Sequence, residues 1–221
     1  MRLIIFPGGG NPDSSLYAPV YGLLATRAAE FGYSNVDTSV RWPGHMREGA
    51  PNKEALTLNA ALKVAQGKLL ACEHDGQEYD ILARSFGAYV ALKSTISESL
   101  KYLRRVTLWG TPPLWKMWEL FVWDLAQYKS IAYEKGLIVD QTLFPSLEPA
   151  EFLLQQTRNN IVVATGTEDK YSTPAFNQYL LDIVGIRPNV AFRPPVKGAP
   201  HEVKADLPVE IVESYLDCVL G

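Results

Sequence analysis

The sequence predicts an α/β fold in which helices cover both faces of a mostly parallel sheet of about six strands. The first observation is that short apolar runs alternate with helical patterns along the whole chain. The second is that these runs are rich in Val, Ile and Leu and lack polar alternation, which is typical of strands buried on both faces. A repeated strand–helix order implies parallel strands with right-handed crossovers. The predicted strands are residues 3–6, 36–40, 79–83, 105–109, 161–165 and 190–192.

Five helical patterns complete the alternation. They lie at about residues 17–31, 53–72, 86–100, 174–184 and 207–220. A chain of 221 residues is long enough to bury a core without disulfides or metals. No internal repeat, low-complexity segment or flexible linker divides the sequence, so we expect a single domain over residues 1–221.

Residues 110–160 break the alternation, because no clear strand pattern occurs there. Apolar and aromatic residues instead occupy both faces of a helical segment, which gives more apolar surface than one core face needs. We therefore expect a small helical lid over residues 111–158, with Trp115, Trp118 and Phe121 contacting the substrate. The alternative is an ordinary helix packed on the sheet.

Composition and charge exclude several classes of function. A hydrophobic fraction of 47% with 20% charged residues is typical of a soluble globular protein. A net charge of −3 gives no field that would gather nucleic acid or anionic lipid. No apolar stretch approaches membrane-spanning length, and the run at residues 3–6 is too short for a signal peptide. We therefore expect a cytoplasmic protein, a monomer or homodimer, that acts on a small molecule.

Neither a metal site nor a cofactor site is expected. No two histidines with a carboxylate fall at metal-ligand spacing, and no P-loop occurs. Cys72 and Cys218 form no CxxC pattern, so we interpret them as reduced thiols. His45 and His74 both lie in loop or turn patterns, where a solvated histidine is the expected state.

A serine lies between a predicted strand and a predicted helix. Residues 83–87 read Ala-Arg-Ser-Phe-Gly, which places Ser85 at the turn. A sharp turn there lifts the serine hydroxyl above the sheet and needs a small residue, such as Gly87, where strand and helix pack closely. It also places the Phe86 backbone N–H at a helix start, where it can stabilise developing negative charge.

Two further polar residues follow later strands. Residues 165–169 read Thr-Gly-Thr-Glu-Asp after the fifth strand, and residues 198–201 read Gly-Ala-Pro-His after the sixth. Active sites in parallel sheets form where loops leave the carboxyl ends of the strands. We therefore expect Asp169 and His201 to lie near Ser85.

These motifs resemble those of the α/β-hydrolases. Residues 83–87 resemble the G-x-S-x-G nucleophile motif of that family, with Ala83 in place of its first glycine. The loops that hold Asp169 and His201 are similar to the acid and histidine loops, and the chain order Ser, Asp, His is that of this fold. The resemblance covers nearly the whole chain, although the first strands of larger members are missing, and it implies a compact α/β-hydrolase fold.

The resemblance implies a role for each of these residues. Ser85 is the expected nucleophile, His201 the general base and Asp169 the acid that orients the imidazole. Residues 7–10 read Pro-Gly-Gly-Gly and match the family loop that supplies a second oxyanion donor. The backbone donors that the resemblance implies are those of Phe86, Gly9 and Gly10.

The function expected from these residues is hydrolysis of a carboxylic ester or thioester with an apolar group, through an acyl-enzyme on Ser85. An acyltransferase or a carbon–carbon bond hydrolase would use the same triad, and a non-catalytic ligand-binding protein would share the fold. Arg84, which precedes the expected nucleophile, either binds a substrate carboxylate or pairs within the structure. The sequence leaves these alternatives open.

Overall fold

A computed structural model describes residues 1–9, 18–44, 56–116, 143 and 146–221 of the chain. Six strands lie in this part: β1 (Arg2–Phe6), β2 (Asn35–Asp37), β3 (Tyr79–Arg84), β4 (Leu103–Trp109), β5 (Ile161–Ala164) and β6 (Val190–Phe192). They form one sheet in the order β2-β1-β3-β4-β5-β6, and every neighbouring pair is parallel. The parallel sheet expected from the apolar runs is therefore confirmed.

Helices cover both faces of this sheet. They are α1 (Ala18–Ala28), α2 (Leu58–Asp75), α3 (Phe86–Ser97), α4 (Ala150–Gln156), α5 (Pro174–Val184) and α6 (Val209–Leu220), and a short 3-10 helix (Ala29–Phe31) follows α1. Buried side chains form two clusters. Helices α1 and α6 contribute to one cluster, and α2, α3, α4 and α5 contribute to the other. The sheet separates the two, because alternate residues of β3 belong to different clusters.

Two of the helices begin with side-chain caps that their sequences supply. The hydroxyl of Thr57 accepts a hydrogen bond from the Ala60 N–H at the start of α2. The hydroxyl of Thr173 accepts from the Phe176 N–H at the start of α5. Each cap satisfies a backbone donor that lacks a partner within the helix. Helix α2 ends at Asp75 and is capped by Gly76, which adopts the left-handed conformation that favours glycine.

Two of the differences between the structure and the predicted elements concern β2 and α4. Strand β2 ends at Asp37 rather than at residue 40, because the Asp37 carboxylate accepts hydrogen bonds from the Ser39 N–H (3.0 Å) and hydroxyl (2.6 Å). Such a bond turns the chain away from the sheet. Helix α4 falls within residues 111–158 and buries Leu153 and Leu154 in the core cluster.

The topology creates a crevice at the carboxyl ends of the strands, between β1 and β3. Strand β1 lies between β2 and β3, and the chain leaves β1 and β3 toward opposite sides of the sheet. Helix α1 packs on one face after β1, and α3 packs on the other face after β3. The loops at the carboxyl ends of these two strands therefore separate, which is where open α/β sheets bind ligands.

Candidate active site

Ser85 forms the turn between β3 and α3, at the crevice. Its backbone has φ 50° and ψ −119°, and it is the only non-glycine residue with a positive φ in the described part of the chain. This conformation costs a residue with a side chain about 1–3 kcal/mol. The surrounding structure holds it, since the Ser85 N–H donates to the Trp109 carbonyl (2.9 Å) and the Ala88 N–H donates to the Ser85 carbonyl (3.0 Å).

The turn requires glycine at position 87. A Cβ on Gly87 would lie 2.4 Å from the Pro7 carbonyl oxygen and 2.6 Å from that of Phe6, which is closer than atoms can approach. Helix α3 can therefore pass over the end of β1 only without a side chain here. Ala83, which replaces the first glycine of the motif, is fully buried and pairs in register with Phe6.

The three residues expected to form a triad lie in one hydrogen-bonded chain. The Ser85 Oγ lies 2.9 Å from Nε2 of His201, and Nδ1 of His201 lies 2.9 Å from Oδ2 and 3.1 Å from Oδ1 of Asp169. The Asp169 side chain is fully buried, whereas the His201 side chain keeps 11% of its surface exposed. Since Nδ1 faces a carboxylate, the geometry favours a proton on Nδ1, which leaves Nε2 to accept the hydroxyl proton.

Backbone donors fix the Asp169 carboxylate. Its Oδ1 accepts hydrogen bonds from the N–H groups of Tyr171 (2.9 Å) and Ser172 (2.7 Å). The Thr165 hydroxyl donates to the Ser172 carbonyl at 2.5 Å and lies 3.3 Å from Oδ2 of Asp169. The acid loop therefore folds around its own carboxylate and leaves Oδ2 directed at His201.

Gly110 is a site residue that the sequence analysis did not identify. It follows β4 with φ +60°, and a Cβ there would lie 2.8 Å from Nδ1 of His201 and 3.0 Å from Oδ2 of Asp169. The end of β4 can support the acid–histidine pair only because this position lacks a side chain. Its sequence signal was a glycine directly after a predicted strand, a position shared with Gly166.

Trp109 also supports the histidine and was also missed. Its indole Nε1–H donates to the His201 backbone carbonyl at 3.1 Å. The Trp109 ring packs edge-on against Tyr215 with centroids 4.7 Å apart, and the Tyr171 ring packs edge-on against the imidazole with centroids 5.0 Å apart. Both the backbone and the ring of His201 are therefore held by aromatic neighbours.

A cleft opens beside the serine and the histidine. The described residues that line it are Gly8, Gly9, Tyr21, Arg84, Ser85, His201 and Glu202. The loop after β1 approaches the serine closely, since a Cβ on Gly8 would lie 3.3 Å from Cβ of Ser85. Phe86 is the first residue of α3, so its N–H has no acceptor within the helix. Gly10, the other expected donor, lies outside the described residues.

The residues expected to contact substrate from the lid are only partly described. Trp115 is 62% exposed and is not among the residues that line the cleft, and the Lys116 ammonium lies 5.5 Å from the centroid of its ring. Trp118, Phe121 and His45 lie outside the described residues. The substrate-binding role of the three aromatic residues therefore stays a prediction.

The described residues also bear on metals and membranes. No group of three or more His, Cys, Asp or Glu side chains among them could hold a metal ion. In the same part of the chain, no helix has the length and apolar character to cross a membrane. Cys72 is buried, Cys218 is half-buried, and neither forms a disulfide.

Comparison with solved structures identifies the fold. An extracellular α/β-hydrolase from a Paenibacillus species aligns over 100% of this chain and 99% of its own, with a TM-score of 0.66 and 13% identity. A bromoperoxidase from Bacillus anthracis aligns over 99% of this chain and 90% of its own, with a TM-score of 0.67 and 13% identity. A monoacylglycerol lipase from Paleococcus ferrophilus aligns over 99% of this chain and 93% of its own, with a TM-score of 0.64 and 14% identity. No protein-family model and no curated protein matches the sequence.

These similarities show that the chain has the α/β-hydrolase fold, as its motifs predict. Sequence identities of 13–14% establish the architecture and leave the reaction open.

Proposed function

We propose that this protein is a serine hydrolase that cleaves a carboxylic ester or thioester through an acyl-enzyme on Ser85. One observation carries the proposal: an unbroken chain of hydrogen bonds runs from Asp169 through His201 to a serine hydroxyl that lines a cleft. A serine hydroxyl is a weak nucleophile until a base takes its proton, and this arrangement supplies such a base.

Each residue has a defined part in the proposed reaction. As the Ser85 Oγ attacks the substrate carbonyl carbon, Nε2 of His201 takes the hydroxyl proton, and Asp169 stabilises the imidazolium that forms. When the tetrahedral intermediate collapses, the bond to the alcohol or thiol breaks, and His201 returns the proton to that leaving group. Water then attacks the acyl-enzyme by the same sequence and releases the acid.

The proposed oxyanion hole consists of backbone N–H groups of Phe86 and Gly9, with Gly10 as a further candidate. Phe86 lies at the start of α3, where the helix dipole favours negative charge. Gly9 lines the cleft from the loop after β1. A fixed donor of this kind contributes about 10²–10³-fold to kcat, because it meets charge that develops only in the transition state.

Covalent labelling tests the proposal directly. The wild type and the variants Ser85→Ala, His201→Ala and Ser97→Ala would be treated with a small fluorophosphonate, and the adduct located by mass spectrometry. Ser97 is an exposed serine at the end of α3, so its variant is the matched control. We expect labelling at Ser85 in the wild type and in Ser97→Ala, and none in the other two variants.

A panel of esters and thioesters then tests the reaction. Hydrolysis that is lost in Ser85→Ala supports the proposal. A product that shifts from acid to a new ester or amide on addition of an alcohol or amine would instead identify an acyltransferase. Turnover of a carbon–carbon substrate alone would identify a carbon–carbon bond hydrolase. Folded wild-type protein that is neither labelled nor active on any ester would be a binding protein of this fold.

The predicted lid adds an expectation about the substrate. We propose that residues 111–158 present Trp115, Trp118 and Phe121 to an apolar part of it. If so, kcat/KM rises with the length of the alkyl group in the leaving alcohol, and Trp118→Ala weakens that dependence. If kcat/KM depends on alkyl length equally in the wild type and in Trp118→Ala, this role is contradicted.

A further inference from the structure

Trp42 lies in the core beside the loop that follows β1. It comes after β2 in the chain, and the residue is only 1% exposed. Its indole Nε1–H donates a hydrogen bond to the Pro7 carbonyl at 2.8 Å, between residues 35 positions apart. A buried carbonyl that loses its donor is costly, so this bond favours one orientation of the peptide that follows Pro7.

That peptide begins the glycine loop, Gly8 and Gly9, which lines the cleft. No peptide bond in the described residues is cis. In a trans peptide the carbonyl and the following N–H point in opposite directions, so the Pro7 carbonyl that faces Trp42 turns the Gly8 N–H away from it. Glycines have wide conformational freedom, so a loop built from them needs an outside contact to hold one arrangement.

Trp42 also contacts the start of α3. Its ring packs edge-on against the Phe86 ring, with centroids 6.2 Å apart. It packs in the same way against Phe6, the last residue of β1, with centroids 5.5 Å apart. All three rings belong to one buried cluster. A single side chain therefore contacts both segments that carry the proposed oxyanion donors.

These two segments approach each other at the same carbonyl. The Pro7 oxygen that accepts from Trp42 is the atom that a Cβ on Gly87 would approach to 2.4 Å. A rotation of the Pro7 peptide would therefore change the fit between the glycine loop and the first turn of α3. Displacement of a reacting or stabilising group by about 1 Å is enough to lower a rate strongly.

We propose that Trp42 is a positioning residue for the proposed oxyanion hole, which holds the glycine loop and the start of α3 in fixed relation. This inference rests on the proposed function. Trp42 is not among the described residues that line the cleft, so it acts through the backbone of Gly9 and Phe86. Such donors stabilise charge that develops in the transition state, so loss of Trp42 lowers kcat and leaves KM nearly unchanged.

Two matched esters test the inference. They are 4-nitrophenyl acetate and the thionoester that carries sulfur in place of its carbonyl oxygen, and sulfur is a weak hydrogen-bond acceptor. The ratio of kcat/KM for the oxygen ester to that for the thionoester therefore reports the oxyanion donors. Trp42→Phe keeps an aromatic ring and removes the N–H, and we expect it to lower this ratio about 10-fold. The fraction of folded protein cancels in the ratio.

Tyr79→Phe is the matched control. Tyr79 is fully buried in the same cluster as Trp42, at the start of β3, and its hydroxyl donates to Glu73 at 3.0 Å. The variant also removes one hydrogen bond from a buried aromatic residue, and we expect the ratio to stay unchanged. Phe86→Leu keeps the backbone donors and removes the ring that Trp42 contacts, so it should lower the ratio and replaces Trp42→Phe if that variant does not fold.

The outcomes separate this inference from the proposed function. An active wild type with the same ratio in Trp42→Phe, or with an equal decrease in Tyr79→Phe, overturns the positioning role and leaves the hydrolase intact. If the wild type hydrolyses neither ester but is labelled at Ser85 by the fluorophosphonate, the labelling rate decides. A rate about 10-fold lower in Trp42→Phe than in Tyr79→Phe supports the role, and equal rates overturn it. Wild type that is neither active nor labelled overturns the proposed function and the inference with it.

Discussion

Asp80 and Asp169 are buried carboxylates near opposite ends of the parallel strands: Asp80 lies at the start of β3, and Asp169 lies beyond the end of β5. Asp80 is the second residue of β3 and is 1% exposed, and Asp169 follows β5 and is 2% exposed. Each lies within hydrogen-bonding or ion-pairing distance of a basic side chain. Burial and a basic neighbour therefore do not distinguish a structural carboxylate from a candidate catalytic one.

One partner of Asp80, Arg105, also contacts the C-terminal residues Leu220 and Gly221. The Tyr33 hydroxyl donates to Asp80 Oδ2 at 2.7 Å, and the Arg105 guanidinium lies 3.3 Å from the same oxygen. Arg105 also donates to the carbonyls of Leu220 and Gly221, at 2.9 Å each. Burial, with the hydrogen bond to Asp80, raises the pKa of Tyr33 to about 12. This network ties β3 and β4 to the end of α6.

The contacts of Asp169 run instead to a serine hydroxyl. His201 connects the carboxylate to the hydroxyl of Ser85, which lines the cleft. The comparison teaches that a buried carboxylate beside a basic side chain becomes a candidate catalytic group when that side chain also contacts a hydroxyl in a cleft. Four sets of substitutions test and extend this distinction.

The largest expected difference is between Asp169→Asn and Asp80→Asn. Asp169→Asn should lower kcat about 10⁴-fold, because an amide no longer favours the proton on Nδ1 of His201. Asp80→Asn should lower the free energy of unfolding by about 3 kcal/mol, because it leaves the Arg105 charge uncompensated. Ester hydrolysis and urea unfolding measure the two effects. Folded Asp80→Asn protein with a 10⁴-fold loss of kcat would break the comparison.

The next effect concerns Gly110. Gly110→Ala should lower kcat about 10²-fold, since its methyl group must displace His201 or Asp169 from the reactive geometry. Gly67 in α2 is the matched control, because a Cβ there meets nothing within 4 Å. Gly67→Ala should leave kcat unchanged and stabilise the protein by about 0.5–1 kcal/mol. Equal kcat in the two variants would show that the acid–histidine pair tolerates displacement.

A smaller loss is expected for Trp109→Phe. The substitution keeps an aromatic ring beside Tyr215 but removes the indole N–H that donates to the His201 carbonyl. We expect kcat to fall about 10-fold, because the histidine loop loses one fixed contact. The pH–rate profile distinguishes the causes: an unchanged midpoint with a lower plateau indicates displaced geometry, and an unchanged plateau would contradict the prediction.

The smallest effect concerns the strain at Ser85. Ser85→Gly and Ser85→Ala both remove the hydroxyl, but only glycine adopts φ 50° without a steric cost. We expect Ser85→Gly to unfold with a free energy about 1 kcal/mol higher than that of Ser85→Ala. Urea unfolding measures the difference. If the two variants are equally stable, the turn stores no strain that depends on the side chain.

The elements around the site were easier to predict than the contacts inside it. The strand at residues 190–192 and the helix at residues 174–184 agree with the structure, since hydrophobic patterning determines both. Helix α4 was missed because its seven residues are too few to show a period. Ser85, Asp169 and His201, which the structure brings into contact, were selected from the sequence because each follows its own strand, and that signal is local.

Gly110 had the local signal of a glycine directly after a predicted strand, but neither its role nor that of Trp109 follows from a local pattern. Trp109 reaches a residue 92 positions further along the chain, and the two come together only in the folded sheet, where β4 pairs with β5 and β5 pairs with β6. Gly110 is constrained by side chains that belong to two distant loops. A pattern within one segment cannot report a steric limit that other segments impose.

The hydrogen bond between Ser85 and His201 joins residues 116 positions apart and has a consequence for refolding. Contacts of such long range form late, because closing a long loop costs conformational entropy. Helical circular dichroism should therefore recover before the serine regains reactivity toward a fluorophosphonate. A chain in which β5 and β6 have not yet docked holds the proposed nucleophile without its proposed base, so we expect such partly folded molecules not to react with the fluorophosphonate.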